Sequence, residues 1–239
     1  MQTQSSTSNP SELSTLLRGE ADTLVGWAAQ FDSRRLAVHL AVIVAGAGLY
    51  GAAMGWWRDP WQALFVAIKF PLILLLTALG NALLNAMLAP LLGLNIGFRQ
   101  SLLAILMSFA VAAAILGAFA PLAGFLVWNA PPMTPDVNST LTYGFIKLAH
   151  VMVIAFAGIA GNVRLFQALV QLAGRRQIAR RVLFAWLAVN LFLGSQLTWI
   201  ARPFIGSPQL PVVFLRDIAF QGNFYENIFR TLQQILSFD

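Results

Sequence analysis

Five long apolar stretches that carry almost no charge constrain this chain more than any other feature of its sequence. They run over Leu36–Trp57, Trp61–Leu88, Ser101–Trp128, Tyr143–Val163 and Val182–Ala201. A helix needs about 20 apolar residues to cross the hydrocarbon core of a bilayer, and each stretch meets or nearly meets that length. Lipid offers the backbone no hydrogen-bond partners, so such spans form helices. We therefore predict an all-α fold, a polytopic membrane helix bundle with five transmembrane helices.

The composition favours a membrane protein without a separate soluble domain. Of the 239 residues, 58% are hydrophobic and 10% are charged, whereas soluble domains carry about 25% charged residues. The net charge of +6 is attributed to loops that face a membrane of negative surface potential, and no nucleic-acid partner is expected. The lipid bilayer is the expected partner.

The same composition argues against catalysis. The chain has no Cys and two His, and no Asp or Glu lies within a span. Thiolate sites are therefore excluded, and a metal site with clustered histidines and carboxylates is not expected. No phosphate-binding loop, dinucleotide motif or nucleophile elbow is present. We predict a protein that is not an enzyme and that has no cofactor, no metal and no catalytic residues.

The two ends of the chain have the pattern of amphipathic helices. We divide the sequence into a cytoplasmic N-terminal segment (1–35), a five-span membrane domain (36–205) and an outer-face C-terminal segment (206–239). In each terminal segment, apolar residues recur at helical spacing between polar ones, which predicts an interfacial helix. For residues 1–35 the alternative is disorder. The apolar positions are Leu13, Leu16, Leu17, Leu24, Val25, Trp27 and Phe31 at one end, and Phe224, Ile228, Phe229, Leu232, Ile235 and Leu236 at the other.

Arginine is distributed unevenly between the two sides of the membrane. Alternating the spans places nine Arg on the side of the N-terminus and four on the other side. Cytoplasmic loops carry the excess of basic residues. The chain is therefore expected in the cell inner (cytoplasmic) membrane, with its N-terminus in the cytoplasm and its C-terminus outside. The nine are Arg18, Arg34, Arg35, Arg99, Arg164, Arg175, Arg176, Arg180 and Arg181, and the four are Arg58, Arg202, Arg216 and Arg230.

Four ionisable residues form a cationic layer in the outer half of the predicted bundle. They are Lys69, Lys147, His150 and Arg202. An ionisable residue inside the membrane is by default a candidate functional residue. In the functional interpretation, the four line an outward-facing pocket for an anion, such as a lipid phosphate. In the structural one, Lys147 and Arg202 extend to the headgroups, and Lys69 pairs with a carboxylate of the C-terminal segment.

Small and amide residues within the spans indicate helix packing. Asn81, Asn85, Asn190 and Gln196 are predicted to make interhelical hydrogen bonds, in preference to lining a conduction path. The spacing Gly51-xxx-Gly55 marks a small-residue face where helices approach closely. Such faces are also where a protein partner or a second copy of the chain could bind.

Short motifs give the chain a resemblance to a known family. They are Leu49-Tyr-Gly51, the run Trp61-Gln-Ala-Leu-Phe-Val-Ala-Ile-Lys-Phe-Pro71, Arg202-Pro-Phe-Ile-Gly206 and Gly222-Asn-Phe-Tyr-Glu226. With five spans, a cytoplasmic N-terminus and a short outward C-terminus, the chain resembles bacterial multi-pass proteins of the Yip1-like family. The resemblance implies a non-enzymatic membrane scaffold or adaptor that organises partners or lipids. The alternative function is a transporter, channel or binding protein for an anionic lipid or small solute.

Overall fold

The structure is a helical bundle, as the apolar stretches predict. The computed structural model describes residues 33–133, 137–207 and 210–236. Every secondary-structure element among them is a helix, and the first five helices are long and apolar enough to cross a membrane. The interfacial helix predicted within residues 1–35 lies almost wholly outside the described residues. The helices are α1 (Ser33–Trp56), α2 (Pro60–Leu91), α3 (Phe98–Trp128), α4 (Val137–Ala173), α5 (Arg176–Ala201) and α6 (Phe224–Leu236).

Alternating helices give the bundle two ends, which we name by their residues. The arginine end contains the start of α1, the loop from α2 to α3 and the turn from α4 to α5. The tail end contains the turn from α1 to α2, the loop from α3 to α4 and the tail, which we define as residues 202–207 and 210–223. At the tail end, Trp57 donates its indole N–H to the carbonyl of Pro131 at 3.0 Å and stacks on Tyr143 at a centroid distance of 6.0 Å.

Glycines let α1 lie in backbone contact with α2 and α3. A Cβ placed on Gly46 would lie 2.1 Å from the carbonyl oxygen of Ala113 in α3, and one on Gly51 would lie 2.6 Å from that of Val66 in α2. No side chain larger than hydrogen fits such an approach. The Gly51-xxx-Gly55 face predicted from the sequence is therefore occupied within one chain, since a Cβ on Gly55 would also lie 2.6 Å from a carbonyl oxygen of α2. These glycines offer no surface for a second copy.

The fourth and fifth spans extend further than the apolar stretches suggested. The stretches Tyr143–Val163 and Val182–Ala201 become α4 and α5, which are separated only by Gly174 and Arg175. The expected arginine-rich loop is thus a tight turn, and most of its arginines lie on the helix ends. Gly174 ends α4 with a positive φ of 62°, the conformation that glycine adopts after a helix at low cost.

The spans differ in how much of their surface the protein covers. Over the most apolar 18 residues of each span, 56% are buried in α3 but only 6% in α5. α5 packs on α2 and, more loosely, on α4. It is a peripheral helix, and open space remains between α4 and α5 at both ends of the bundle.

Candidate functional site

Lys69 holds the tail against the bundle. Its side chain is only 1% exposed. The ammonium group donates hydrogen bonds to the backbone carbonyls of Pro203 at 2.7 Å and Phe214 at 2.8 Å. The rings of Phe204 and Phe214 lie 5.6 and 5.4 Å from the ammonium nitrogen, within the range of a cation–π interaction. Two carbonyl dipoles and two ring faces thus replace the water that the charge has lost.

The described part of the chain shows neither of the predicted environments of Lys69. The hydrogen bonds that it shows for this residue go to backbone carbonyls of the tail. Lys69 does not line an open cavity with Lys147. The sequence indicates that a buried ammonium needs oxygen acceptors. Every residue has a backbone carbonyl, however, so the sequence does not indicate which carbonyls accept the hydrogen bonds. The role that the geometry supports for Lys69 is anchoring.

Further side chains fasten the tail at separate points. Gln62, which is two helical turns before Lys69 and is also buried, donates its amide N–H to the carbonyls of Pro203 at 2.9 Å and Phe204 at 2.7 Å. Arg58 donates to the carbonyl of Leu210 at 3.1 Å, and the hydroxyl of Tyr143 donates to that of Gly206 at 3.2 Å. The tail is therefore held by side chains of α2, α4 and the turn before α2.

A cavity of about 600 Å³ lies between α4, the end of α5 and the tail. Three of the four residues predicted to form an anion pocket line it, and Arg216 of the tail joins them. Lys69 lies behind its wall, because Pro203 and Phe204 both bond to α2 and line the cavity. The lining residues are Met54, Phe70, Tyr143, Lys147, His150, Val151, Ile154, Thr198, Arg202, Pro203, Phe204, Ile205, Gly206, Ser207 and Arg216.

The charges of this cavity are all positive. Lys147, Arg202 and Arg216 line it, and no carboxylate is among the lining residues that the structure describes. The guanidinium of Arg202 lies 3.2 Å from the centre of the Trp199 ring, and two of its nitrogens, Nε and Nη1, are buried without a hydrogen-bond partner. Burial, with a smaller contribution from Arg216, lowers the pKa of Arg202. The usual value is so high that the group stays charged at neutral pH.

His150 lies in the wall of the cavity with one ring nitrogen engaged. Its Nδ1 is 2.9 Å from the hydroxyl of Tyr50 in α1, and the two rings meet edge to face at 5.5 Å. Its Nε2 is buried and has no partner among the described residues. The histidine is 3% exposed and Tyr50 is fully buried. The pair therefore fixes the orientation of the imidazole and leaves its Nε2 unpaired in the wall of the cavity.

The four amide residues have different environments. Asn85 donates its amide N–H to the side-chain oxygen of Asn81, so this bond lies within α2 and is not the predicted interhelical bond. The side-chain oxygen of Asn190 is buried and has no partner in the described part of the chain. Gln196 does link two helices, because its side-chain oxygen accepts the backbone N–H of Phe224, at the start of α6, at 3.4 Å.

The sequence-based candidates did not include Tyr50, Gln62 or Arg216. Gln62 carried a usable signal, since a polar residue seven positions before Lys69 shares its helix face. Tyr50 carried a weaker one, because a buried phenol usually finds a hydrogen-bond partner. Arg216 lies beyond the last span, and only the folding of the tail brings it to the cavity.

A second open cavity of about 860 Å³ lies between α4 and α5 at the arginine end. Its wall is mainly apolar, and Arg176, whose guanidinium lies 5.8 Å from the centre of the Phe166 ring, is its charged residue. The two cavities therefore differ in charge, and the one at the tail end has the stronger attraction for an anion.

Comparisons of the chain with protein-family models, with curated proteins and with solved structures find no match.

Proposed function

We propose that this chain is a non-enzymatic multi-pass membrane protein that binds an anionic lipid in the cavity at its tail end. The observation that carries the proposal is the convergence of Lys147, Arg202 and Arg216 on one cavity without a carboxylate among its described lining residues. Lys147 is exposed and the two arginines are partly buried, but two nitrogens of Arg202 are buried without a hydrogen-bond partner, and like charges that converge on one cavity repel each other, so an anion stabilises this arrangement. Apolar side chains such as Phe70 and Ile154 form the rest of the wall, which suits an acyl chain better than a small hydrated ion.

A scaffold or adaptor role, which the Yip1-like resemblance implies, is the second candidate. Its support is α5, whose apolar side chains, including Phe184 and Leu191, are largely exposed. These residues face lipid in an isolated protein and a partner in an assembly. Lipid retention in a mild detergent distinguishes the two roles, because a scaffold without a lipid site retains no particular lipid class.

Replacing two of the cavity cations is expected to remove the bound lipid while the fold survives. Lys147 and Arg216 are the residues to change to Gln, since among the described residues neither makes a hydrogen bond that holds the tail. Anionic lipid that co-purifies with the protein should fall by about tenfold or more, because one hydrogen bond to a charged group contributes about 1.5–3 kcal/mol. Mass spectrometry of the purified protein measures it. The matched control is Arg181→Gln, an exposed arginine at the opposite end, and equal lipid loss in that control would contradict the proposal.

We further propose the inner membrane as the location, with the arginine end in the cytoplasm. The support is the concentration of arginines at that end, to which the positive-inside rule applies. The N-terminus is then cytoplasmic, and the tail and α6 lie outside. In this orientation the cavity draws its ligand from the outer leaflet.

The orientation is tested by a pair of reporter fusions. A reporter that is active only in the cytoplasm should be active when fused after Gly174 and silent when fused after Pro132. Both positions lie in connections between helices, so the preceding spans are complete in each fusion. Activity after Pro132 together with silence after Gly174 would place the tail in the cytoplasm and overturn the proposed orientation.

A further inference from the structure

We infer that the cavity at the tail end selects a lipid with a terminal phosphate, a phosphomonoester, over a phosphodiester lipid, and that Tyr50 and His150 determine this selection. The inference rests on the proposed anionic-lipid function and names the chemical class of its ligand. It follows from three features of the cavity: its charge, the geometry of the Tyr50–His150 pair and the apolar part of its wall.

The charge of the cavity matches a terminal phosphate better than a diester. Lys147, Arg202 and Arg216 supply three positive charges, and the described lining contains no carboxylate to offset them. A phosphomonoester carries a charge of about −1.5 to −2 at pH 7 and presents three acceptor oxygens. A diester carries a single negative charge and two free oxygens. A diester therefore leaves more of the positive charge uncompensated in a partly desolvated site, which is unfavourable.

The Tyr50–His150 pair supplies a donor in a fixed direction. When Tyr50 donates its O–H to Nδ1 of His150, across the observed 2.9 Å, the ring proton lies on Nε2. Nε2 is buried and has no partner among the described residues, so its N–H lacks an acceptor until a ligand arrives. The third oxygen of a terminal phosphate supplies that acceptor. A diester offers one acceptor oxygen fewer for the lysine, the arginines and the imidazole to share.

The apolar wall identifies the ligand as a lipid and not as free phosphate. Met54, Phe70, Val151 and Ile154 are apolar residues that line the cavity. An acyl chain that packs on this wall keeps these apolar side chains from water, which is favourable. A water-soluble phosphate compound makes none of these contacts. The polar group and the chain of one lipid thus account for both kinds of lining residue.

The test is a competition between lipids that share their acyl chains. The full chain, purified in mild detergent, is incubated with equimolar phosphatidate, phosphatidylglycerol and phosphatidylcholine, and native mass spectrometry counts each bound lipid. We expect phosphatidate to exceed phosphatidylglycerol by about tenfold, the order of one additional charge-assisted hydrogen bond. Glycerol 3-phosphate at the same concentration should not displace it, and efficient displacement would overturn the assignment to a lipid.

Two variants assign the selection to the buried pair. Tyr50→Phe keeps the ring and removes the hydroxyl that fixes the imidazole, and His150→Leu removes the donor. Both are expected to lower the ratio of phosphatidate to phosphatidylglycerol to about one, while total anionic lipid falls less, because the three cations remain. The matched control is Tyr225→Phe, whose hydroxyl lies 3.0 Å from that of Ser195 outside the cavity, and its ratio should equal that of the unchanged protein. The melting temperature of each variant is measured in parallel, and Tyr50→Phe, which conserves the packing volume, decides if His150→Leu fails to fold.

Failure of this inference is distinguishable from failure of the proposed function. Equal binding of phosphatidate and phosphatidylglycerol, both well above phosphatidylcholine, would overturn the selection and leave the anionic-lipid function in place. Equal binding of all three lipids would overturn both. A preference for phosphatidate that survives in the folded Tyr50→Phe variant would overturn the role of the pair.

Discussion

Replacing Gly46 by alanine is expected to prevent the close packing of α1 against α3. An added Cβ would lie 2.1 Å from the carbonyl oxygen and 2.7 Å from the carbonyl carbon of Ala113. The clashing atoms belong to the backbone, so no side-chain rotation relieves the contact. On the opposite helix, a Cβ on Gly117 would lie 2.9 Å from the Cα of Gly46. The two helices must therefore separate over at least one turn.

The expected loss of stability is large for a change of one methyl group. Inserting atoms into a packed core costs about 1–3 kcal/mol, occasionally more, and a backbone clash belongs to the upper end. Thermal unfolding in detergent measures the change. Gly144→Ala in α4 is the matched control, since a Cβ there meets nothing within 4 Å and alanine favours a helix over glycine. A Gly46→Ala variant as stable as this control would contradict the packing of α1 on α3.

The fold was largely predictable from the sequence because the constraint is strong and local. A lipid-exposed backbone must be helical, so the apolar stretches translate almost directly into helices. The ends of α4 and α5 were predicted less well. Arg164 and Arg180 interrupt the apolar pattern, but both helices continue past them. Arg164 donates a hydrogen bond to the side-chain oxygen of Gln167 at 3.1 Å, and long basic side chains extend from a helix toward the membrane surface.

The candidate site was only partly predictable. Depth along each helix predicted one layer for Lys147, His150 and Arg202, and the structure brings these three residues to one cavity. The tail is the element that sequence periodicity could not place. Its path follows from backbone carbonyls that accept side-chain hydrogen bonds, and every residue type offers such a carbonyl. The anchoring role of Lys69 and the arrival of Arg216 at the cavity both depend on that path.

Replacing Lys69 by methionine is expected to release the tail from the bundle. Methionine fills a similar volume but donates no hydrogen bond, so the carbonyls of Pro203 and Phe214 lose the bonds that they now accept at 2.7 and 2.8 Å. Leaving a buried acceptor unsatisfied costs about 1–3 kcal/mol, and the cost falls on the carbonyl of Phe214, which is partly buried. Gln62 still bonds to the first carbonyl, whereas the segment around Phe214 loses the one side-chain bond that the structure shows for it. We expect the backbone amides of residues 210–216 to exchange hydrogen faster than in the unchanged protein, and hydrogen-exchange mass spectrometry measures this.

The same variant should also lose the bound lipid, because the tail forms one wall of the cavity and carries Arg216. Lys147→Met is the matched control: it removes a cation that lines the cavity but holds no part of the tail, so lipid binding should fall while exchange of the tail stays slow. The two variants together separate anchoring from direct contact with the ligand.

If the tail of Lys69→Met exchanges as slowly as that of the unchanged protein, the ammonium is not its anchor. If it exchanges fast and anionic lipid is retained in full, the tail is not a necessary wall of the site. We expect fast exchange with lipid loss in Lys69→Met, and slow exchange with lipid loss in Lys147→Met. This pair of results would mean that the buried Lys69 affects the ligand only through the tail that it holds.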